Sequence, residues 1–309
     1  MFPKVPDYHK PNKPLVPNGL GVFYVLFSAI YLFSIYFFEY FFEPGKVTNG
    51  ASAPLTLAVC ILFGGFMGLL DDWIDLKWRY KAFLPIIAAI PLIAFAYSLT
   101  PPMRPAITIP FFGIIQFGGY YYSLIIPLLV TIITNTVNQL GGLNGLETVC
   151  PAIVMIGLMI MSGQEAILLY GPLVMWLLLA SLNFQGKIFV GNTGSFAVGM
   201  TLASFAIISD LKFSLVVSLF PYILNSVLVL LTFFFFRTKA KVSFDGRRLS
   251  SDHKRSLITI ITYHRPLTER QVVLITISDF LTSSLIILKP FLSFMLIARL
   301  FLPRFRKTE

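Results

Sequence analysis

Two adjacent aspartates, Asp71 and Asp72, stand where a long apolar run stops, in GLLDDWIDLKWRYKAFLP, and Asp75, Lys77, Arg79 and Lys81 follow them. Neighbouring carboxylates repel one another, and at the C-terminal end of a helix they also meet the negative end of its dipole. A divalent cation or a lysine relieves both problems; an ordinary charged interfacial loop is the plain alternative. A second polar group closes another apolar run, in TNTVNQLGGLNGLE. Asn135 and Asn138 are three apart and share one helix face. Amides at membrane depth are costly unless they pair between helices or line a site. Gly141, Gly142 and Gly145 let the backbone turn and approach a ligand.

The third group is KIFVGNTGSFAVGM, a glycine turn running straight into an apolar stretch. Such a turn presents N–H groups and a positive dipole end to an anion, or serves as a plain helix cap. The fourth is the basic loop 237–270, which begins RTKAKVSFDGRR and ends YHRPLTER. Its cations suit phosphates or anionic headgroups, and they also satisfy the positive-inside bias alone. Carboxylates, amides, a helix N-terminus and cations together make a kit for holding a nucleotide diphosphate with a metal.

Membrane helices must position these groups. The 309 residues are 56% hydrophobic and 12% charged, with mean hydropathy +0.80, against roughly 25% charged in soluble domains. A large soluble core would still need a charged exterior, whereas bilayer spans account for the deficit directly. Residues 1–18 are polar and proline-rich, unlike a secretory signal peptide. A bilayer takes about 20 apolar residues per helix. Runs near that length lie at 19–38, 52–70, 82–99, 119–138, 147–162, 165–182, 194–208, 212–236 and 271–302. The expected fold is an all-α polytopic membrane protein, one domain over 1–309 with about nine transmembrane helices and no internal repeat. The segment 101–118 reads as a short hairpin on the non-cytoplasmic side.

With the N-terminus inside, the loops 1–18, 71–81, 139–146, 183–193 and 237–270 hold sixteen of the 24 Lys and Arg residues. That arrangement follows the positive-inside rule and places all four polar groups at the cytoplasmic face. Lys46, Arg104 and Lys212 lie opposite, and the basic tail (Arg299, Arg304, Arg306, Lys307) runs against the rule. The net charge of +10 is thus explained without a nucleic-acid partner. Cys60 and Cys150 sit in apolar runs and read as packed thiols rather than a disulfide or zinc framework.

These motifs resemble the polyprenyl-phosphate N-acetylhexosamine-1-phosphate transferases, from about residue 7 to 302. DDWIDLKWRYKAFLP and NQLGGLNGLE together are similar to the eukaryotic and archaeal branch that makes dolichyl-diphospho-GlcNAc, the first step of N-glycosylation. FVGNTGS and PLTER support the match, and the lack of a large insertion in 237–270 resembles the archaeal form, which implies the plasma membrane. The resemblance implies catalytic roles for Asp71, Asp72 and Lys81, with Lys81 on phosphate. It implies a metal role for Asn138, uracil contacts for Gly142 and Asn144, and a stacking role for Phe189. Asn135 and Glu147 join them as substrate-binding residues, with Arg237, Lys239, Lys241, His264 and Arg265 from the basic loop. The implied cofactor is Mg2+, with Mn2+ as its substitute. The implied partners are UDP-GlcNAc, a polyprenyl or dolichyl phosphate, the bilayer and, as an open option, a second copy of the chain.

Two departures stand out. The family carries Asp, a magnesium ligand, where this chain has Asn192, and a neutral amide is a poorer ligand for a hard cation. Asn192 is nevertheless the matching metal position. The family has ten spans against the nine counted here, and this sequence starts at what resembles the loop after the family's first helix. The implied reaction is attack by the polyprenyl phosphate on the β-phosphorus of a UDP-HexNAc, releasing UMP. Three other readings differ in class. A transporter would show repeats and midplane charges; a catalytically silent paralogue or binding subunit is the reading Asn192 invites. Relatives that use undecaprenyl phosphate carry a histidine cluster that the basic loop here lacks.

Overall fold

The computed structural model describes residues 2–42, 52–99, 102–109, 113–238 and 240–301, with 287–301 by backbone alone. Lys239 and the basic residues of the tail beyond 301 therefore lie outside the described residues.

The chain opens with an antiparallel hairpin, β1 (Lys4–Pro6) on β2 (Leu15–Pro17). Then come α1 (Gly21–Phe42) and α2 (Ala53–Ile74). The next span is α3 (Trp78–Ala88) followed by α4 (Ile90–Ser98), with Pro85 inside the first and a proline opening the second. The hairpin expected at 101–118 is present as β3 (Ala106–Ile109) and β4 (Gly113–Gln116). Helix α5 (Ile126–Gln139) is entered through a wide π turn at Tyr121–Ile125. It is followed by α6 (Leu146–Met161), α7 (Ile167–Phe184) and α8 (Gly191–Ile208). Beyond these lie α9 (Lys212–Ser218) and α10 (Phe220–Leu231), and the latter runs into another π turn at Thr232–Phe236. The basic loop folds into β5 (Ser243–Phe244), β6 (Leu249–Ser250) and α11 (Leu257–Tyr263) before α12 (Glu269–Phe301).

Each expected apolar run falls on helix. Among the described residues six helices are long and apolar enough to cross a bilayer, or seven if the bent pair Lys212–Ser218 and Phe220–Phe236 is one span. The bend is 65° and coincides with the proline that opens α10. Helix α6, at 16 residues, is shorter than the roughly 20 a bilayer needs. Fold class and membrane character agree with the sequence; the number of crossings does not follow from apolar runs alone.

Helix α8 is the core of the bundle. Fifteen of its residues, Thr193 through Ile207, are buried, and it packs on α2, α5 and α1. Membrane helices associate by close packing rather than by expulsion of water, so small residues mark the contacts. A Cβ on Gly64 would stand 2.9 Å from the Phe196 carbonyl oxygen, and one on Gly68 would stand 2.2 Å from that of Asn192. Across from α5, a Cβ on Gly199 would come within 3.0 Å of the Thr134 Cα. Side-chain bonds add specificity at depth: Tyr24 and Thr201 share a hydrogen bond of 2.7 Å, and the Trp176 indole donates to the Thr148 carbonyl at 2.8 Å.

Candidate active site

Gly64, Gly68 and Asp72 recur every four residues and so lie on one face of α2. The glycines bring that face onto α8, and Asp72, one turn further, meets the start of α8. Its carboxylate accepts from the Asn192 N–H at 2.9 Å, the Thr193 N–H at 2.9 Å and the Thr193 hydroxyl at 2.7 Å. The glycine turn at 191–194 therefore does receive an anion, as a helix N-terminus should, but the anion is this chain's own aspartate. Sequence reasoning left that partner open and overlooked Thr193.

Asp71 faces the other way and is buried. Its Oδ1 accepts from Lys81 Nζ at 2.8 Å and from the Leu76 N–H at 3.0 Å, while Oδ2 is buried without a partner. Lys81 also reaches Asp75 Oδ1 at 3.6 Å. Asp75 ends α2 in the left-handed region (φ 45°), and its N–H bonds the Asp71 carbonyl. The repulsion expected between the adjacent carboxylates is relieved by two separate devices, the lysine for Asp71 and the helix N-terminus for Asp72.

At the end of α5, Asn138 Oδ1 accepts a short bond from the Ser195 hydroxyl, which ties α5 to α8. Asn135 instead donates to the Thr131 carbonyl of its own helix at 2.9 Å, and it does not line the cavity described below. The following loop turns through Gly142 (φ +90°) and Gly145 (φ +94°). Asn183, buried and not singled out from sequence, holds that loop in place. It accepts from the Gly145 N–H at 2.8 Å and the Thr148 hydroxyl at 3.0 Å, and it donates to the Ile188 carbonyl at 2.9 Å.

The Asn144 side chain is engaged within the protein through its amide nitrogen, while its Oδ1 has no hydrogen-bond partner. It is buried, and its amide nitrogen donates to Asp7 Oδ2 at 2.7 Å and Glu269 Oε1 at 3.0 Å. Asp7 belongs to the N-terminal hairpin, which packs against the loop; His9 Nδ1 donates to the Gly142 carbonyl at 2.9 Å. The hairpin base is fixed by backbone bonds, Phe189 N–H to Pro17 O at 2.8 Å and Leu20 N–H to Phe189 O at 3.2 Å. A polar, proline-rich leader gave no strand signal, because prolines in three-residue edge strands read as loop.

Between these parts lies a cavity of about 440 Å3. Asp72, Asn138, Gly142, Glu147, Phe189 and Asn192 line it together with the hairpin residues Val5 to His9 and Asn18. Six of the sequence-selected residues thus converge. The basic-loop residues do not: Arg237, Lys241, His264 and Arg265 are exposed, and no described Lys or Arg lines the cavity. Other parts of the loop are fixed locally. The Leu257 N–H is held by Asn225 Oδ1 of α10 at 3.0 Å, and Leu249 pairs with Leu267 in an isolated bridge. The Arg248 and Arg247 N–H groups on Asp245 hold its carboxyl below the usual range.

With Asp7, Asp72 and Glu147 on its walls, the cavity suits a cation better than a bare anion. Among the described residues no group of three or more His, Cys, Asp or Glu side chains is placed to hold a metal. Magnesium does not require such a cage, since it is commonly held by one or two carboxylates plus water and substrate phosphates. A carboxylate offers about four lone-pair sites, and the three donors on Asp72 leave capacity for one partner more. Asn138 and Asn192 border the same space. The donor set therefore fits a magnesium ion shared with a phosphorylated ligand.

A sequence model of glycosyl transferase family 4 matches residues 54–210, which hold Asp71, Asp72, Lys81 and the turn at Asn192. A protein of Saccharolobus solfataricus, provisionally named a UDP-N-acetylglucosamine–dolichyl-phosphate N-acetylglucosaminephosphotransferase, is 31% identical over 279 residues, 87% of this chain and 82% of its own. The protein of that name from Dictyostelium discoideum is 24% identical over 243 residues, 68% of this chain and 59% of its own. A phospho-N-acetylmuramoyl-pentapeptide-transferase of Prochlorococcus marinus is 30% identical over 257 residues, 77% of this chain and 68% of its own. Matched across half its length by the family model and along most of its length by an archaeal relative, this chain belongs to glycosyl transferase family 4, the polyprenyl-phosphate N-acetylhexosamine-1-phosphate transferases.

Proposed function

We propose that this protein transfers GlcNAc-1-phosphate from UDP-GlcNAc to a polyprenyl phosphate of the dolichyl type, releasing UMP, at the cytoplasmic face of the membrane. The observation that carries the reading is the seating of Asp72 on the N-terminus of α8 at the wall of a cavity shared with Asn138, Glu147, Phe189 and Asn192. The relatives' names supply the substrates, and the sugar and lipid are assigned on that ground.

In the reaction an oxygen of the acceptor phosphate attacks the β-phosphorus of the nucleotide sugar, and the bond to UMP breaks. A phosphate monoester has a second pKa of about 6, so near neutral pH the acceptor is already ionised and needs no strong base. The demand is electrostatic: two anions must meet beside a carboxylate-lined cavity. Asp72, Asn138 and Asn192 would hold a magnesium ion, which offsets that charge when bound. Phe189 offers an aromatic face to the base, and Gly142, at φ +90°, lets backbone approach it without a side chain. Lys81 neutralises Asp71 and fixes the end of α2. Arg237, Lys239, Lys241, His264 and Arg265 serve the lipid phosphate as a supply of positive charge. The prenyl tail stays in the bilayer.

The test is UMP release by detergent-purified protein given UDP-GlcNAc and dolichyl phosphate, with Mg2+, with Mn2+ or with EDTA. Metal-dependent release that requires the lipid is the expected result. Asn192 favours one competing reading, a silent binding subunit. Folded protein that binds UDP-GlcNAc and releases no UMP under any of these conditions would establish that instead.

A further inference from the structure

Three distant parts of the chain meet at Asn144. Both protons of its amide are committed, one to Asp7 and one to Glu269, and Glu269 Oε1 also takes the Asn144 backbone N–H at 2.8 Å. The other oxygen of Glu269 pairs with Lys10 Nζ at 2.8 Å, and the carboxylate is largely shielded from solvent (9% exposed). Two carboxylates on one buried amide repel one another, and Lys10 supplies the compensating charge. The network joins the N-terminal hairpin, the loop between α5 and α6, and the first turn of α12.

The hairpin needs such a fastening. Its strands are three residues each, and an isolated two-stranded hairpin is marginal in water. Its base is anchored by the backbone bonds of Pro17 and Leu20 to Phe189. Its tip, from Asp7 to Lys13, is held by the side chains of Asp7, His9 and Lys10. That tip and strand β1 supply Val5, Pro6, Asp7, Tyr8 and His9 to the cavity wall.

We infer that Asp7 and Glu269 are positioning residues that, through Asn144 and Lys10, latch the tip of the N-terminal hairpin in place as a wall of the substrate cavity. The inference rests on the reading of that cavity as the nucleotide-sugar site. Loss of the latch lets the tip move while the base stays attached, so it weakens substrate binding and leaves the α2–α8 chemistry intact.

The test uses the full chain in detergent, with hydrogen–deuterium exchange of the segment 2–18 measured beside UMP-release kinetics. Asp7→Ala and Glu269→Ala are expected to speed exchange in 2–18 at least tenfold, with exchange in α2 and α8 unchanged. KM for UDP-GlcNAc is expected to rise about tenfold in both variants, with kcat within twofold in the Glu269 variant, whose side chain does not line the cavity. Asp7→Asn, which keeps an acceptor oxygen for Asn144, is expected to restore both. Unchanged exchange in 2–18, or a fall in kcat at constant KM, overturns the latch. Faster exchange in variants of a protein whose wild type releases no UMP leaves the latch standing and overturns the transferase reading instead.

Discussion

Asp72 and Thr193 are 121 residues apart in sequence, yet one carboxylate oxygen of the first accepts both the N–H and the hydroxyl of the second. This contact makes Asp72 a structural cap as well as a cavity residue. Asp72→Asn would turn one of its acceptors into a donor facing the helix N-terminus. Hydrogen bonds to charged groups contribute about 1.5–3 kcal/mol, so the variant is expected to lose roughly 2 kcal/mol of stability. UMP release is expected to fall about 10²–10³-fold, the scale of losing one electrostatic catalytic contact. Thr193→Val separates the roles: it should cost about 1.5 kcal/mol and leave most activity. Thermal unfolding and UMP release on both variants check this; full activity in Asp72→Asn would remove Asp72 from the chemistry.

Lys81→Ala strips the cation from a carboxylate whose side chain is wholly buried. Removing one partner of a buried pair costs about 3–5 kcal/mol. Lys81 is itself 27% exposed, and solvent screening lowers the expectation to about 1–3 kcal/mol. Lys81→Arg should keep the fold and part of the activity. Paired measurements of melting temperature and kcat decide the matter: if Lys81→Ala loses activity with no loss of stability, the lysine serves substrate more than Asp71.

Gly68→Ala tests how the site is assembled. The added Cβ would lie 2.2 Å from the Asn192 carbonyl oxygen, where backbone and not a flexible side chain must yield. Overpacking costs typically 1–3 kcal/mol, and here the upper end or beyond is expected, with activity lost because Asp72 no longer reaches α8. Gly119→Ala, with nothing within 4 Å of its Cβ, should be neutral. Equal stability of the two variants would refute the close approach of α2 and α8.

Much of this site was legible in the sequence because membrane helices leave few places for polar residues. Asp71, Asp72, Asn138 and Asn192 stood out against apolar runs, Phe189 only through the family resemblance, and all five sit where α2 and α5 end and α8 begins. Partner choice was not legible. Nothing in local spacing tells that Asp72 caps α8 while Asp71 takes Lys81, since both follow from how two glycines set α2 on α8. The N-terminal hairpin was missed because its order comes from docking onto Asn144 and Phe189 rather than from strand propensity. The basic loop is the unlike case: its charges suit phosphate, yet none of its described Lys or Arg residues lines the cavity, and Asn225 and Leu267 bond its folded part.

Asn192→Asp tests the departure from the family pattern. Asn192 lines the cavity together with Asp72, whose Oδ1 its backbone N–H already bonds. A second carboxylate there adds like-charge repulsion when no cation is bound and adds a hard oxygen ligand when one is. The two effects have opposite signs, so the variant should melt lower than wild type in EDTA and gain more from added magnesium. The magnesium concentration for half-maximal UMP release is expected to fall about tenfold, equivalent to roughly 1.4 kcal/mol of added metal affinity. Melting curves read the first effect without any turnover, and a magnesium titration of activity reads the second. Identical metal dependence in variant and wild type would mean that position 192 does not face the ion, leaving Asp72 and Asn138 to hold it.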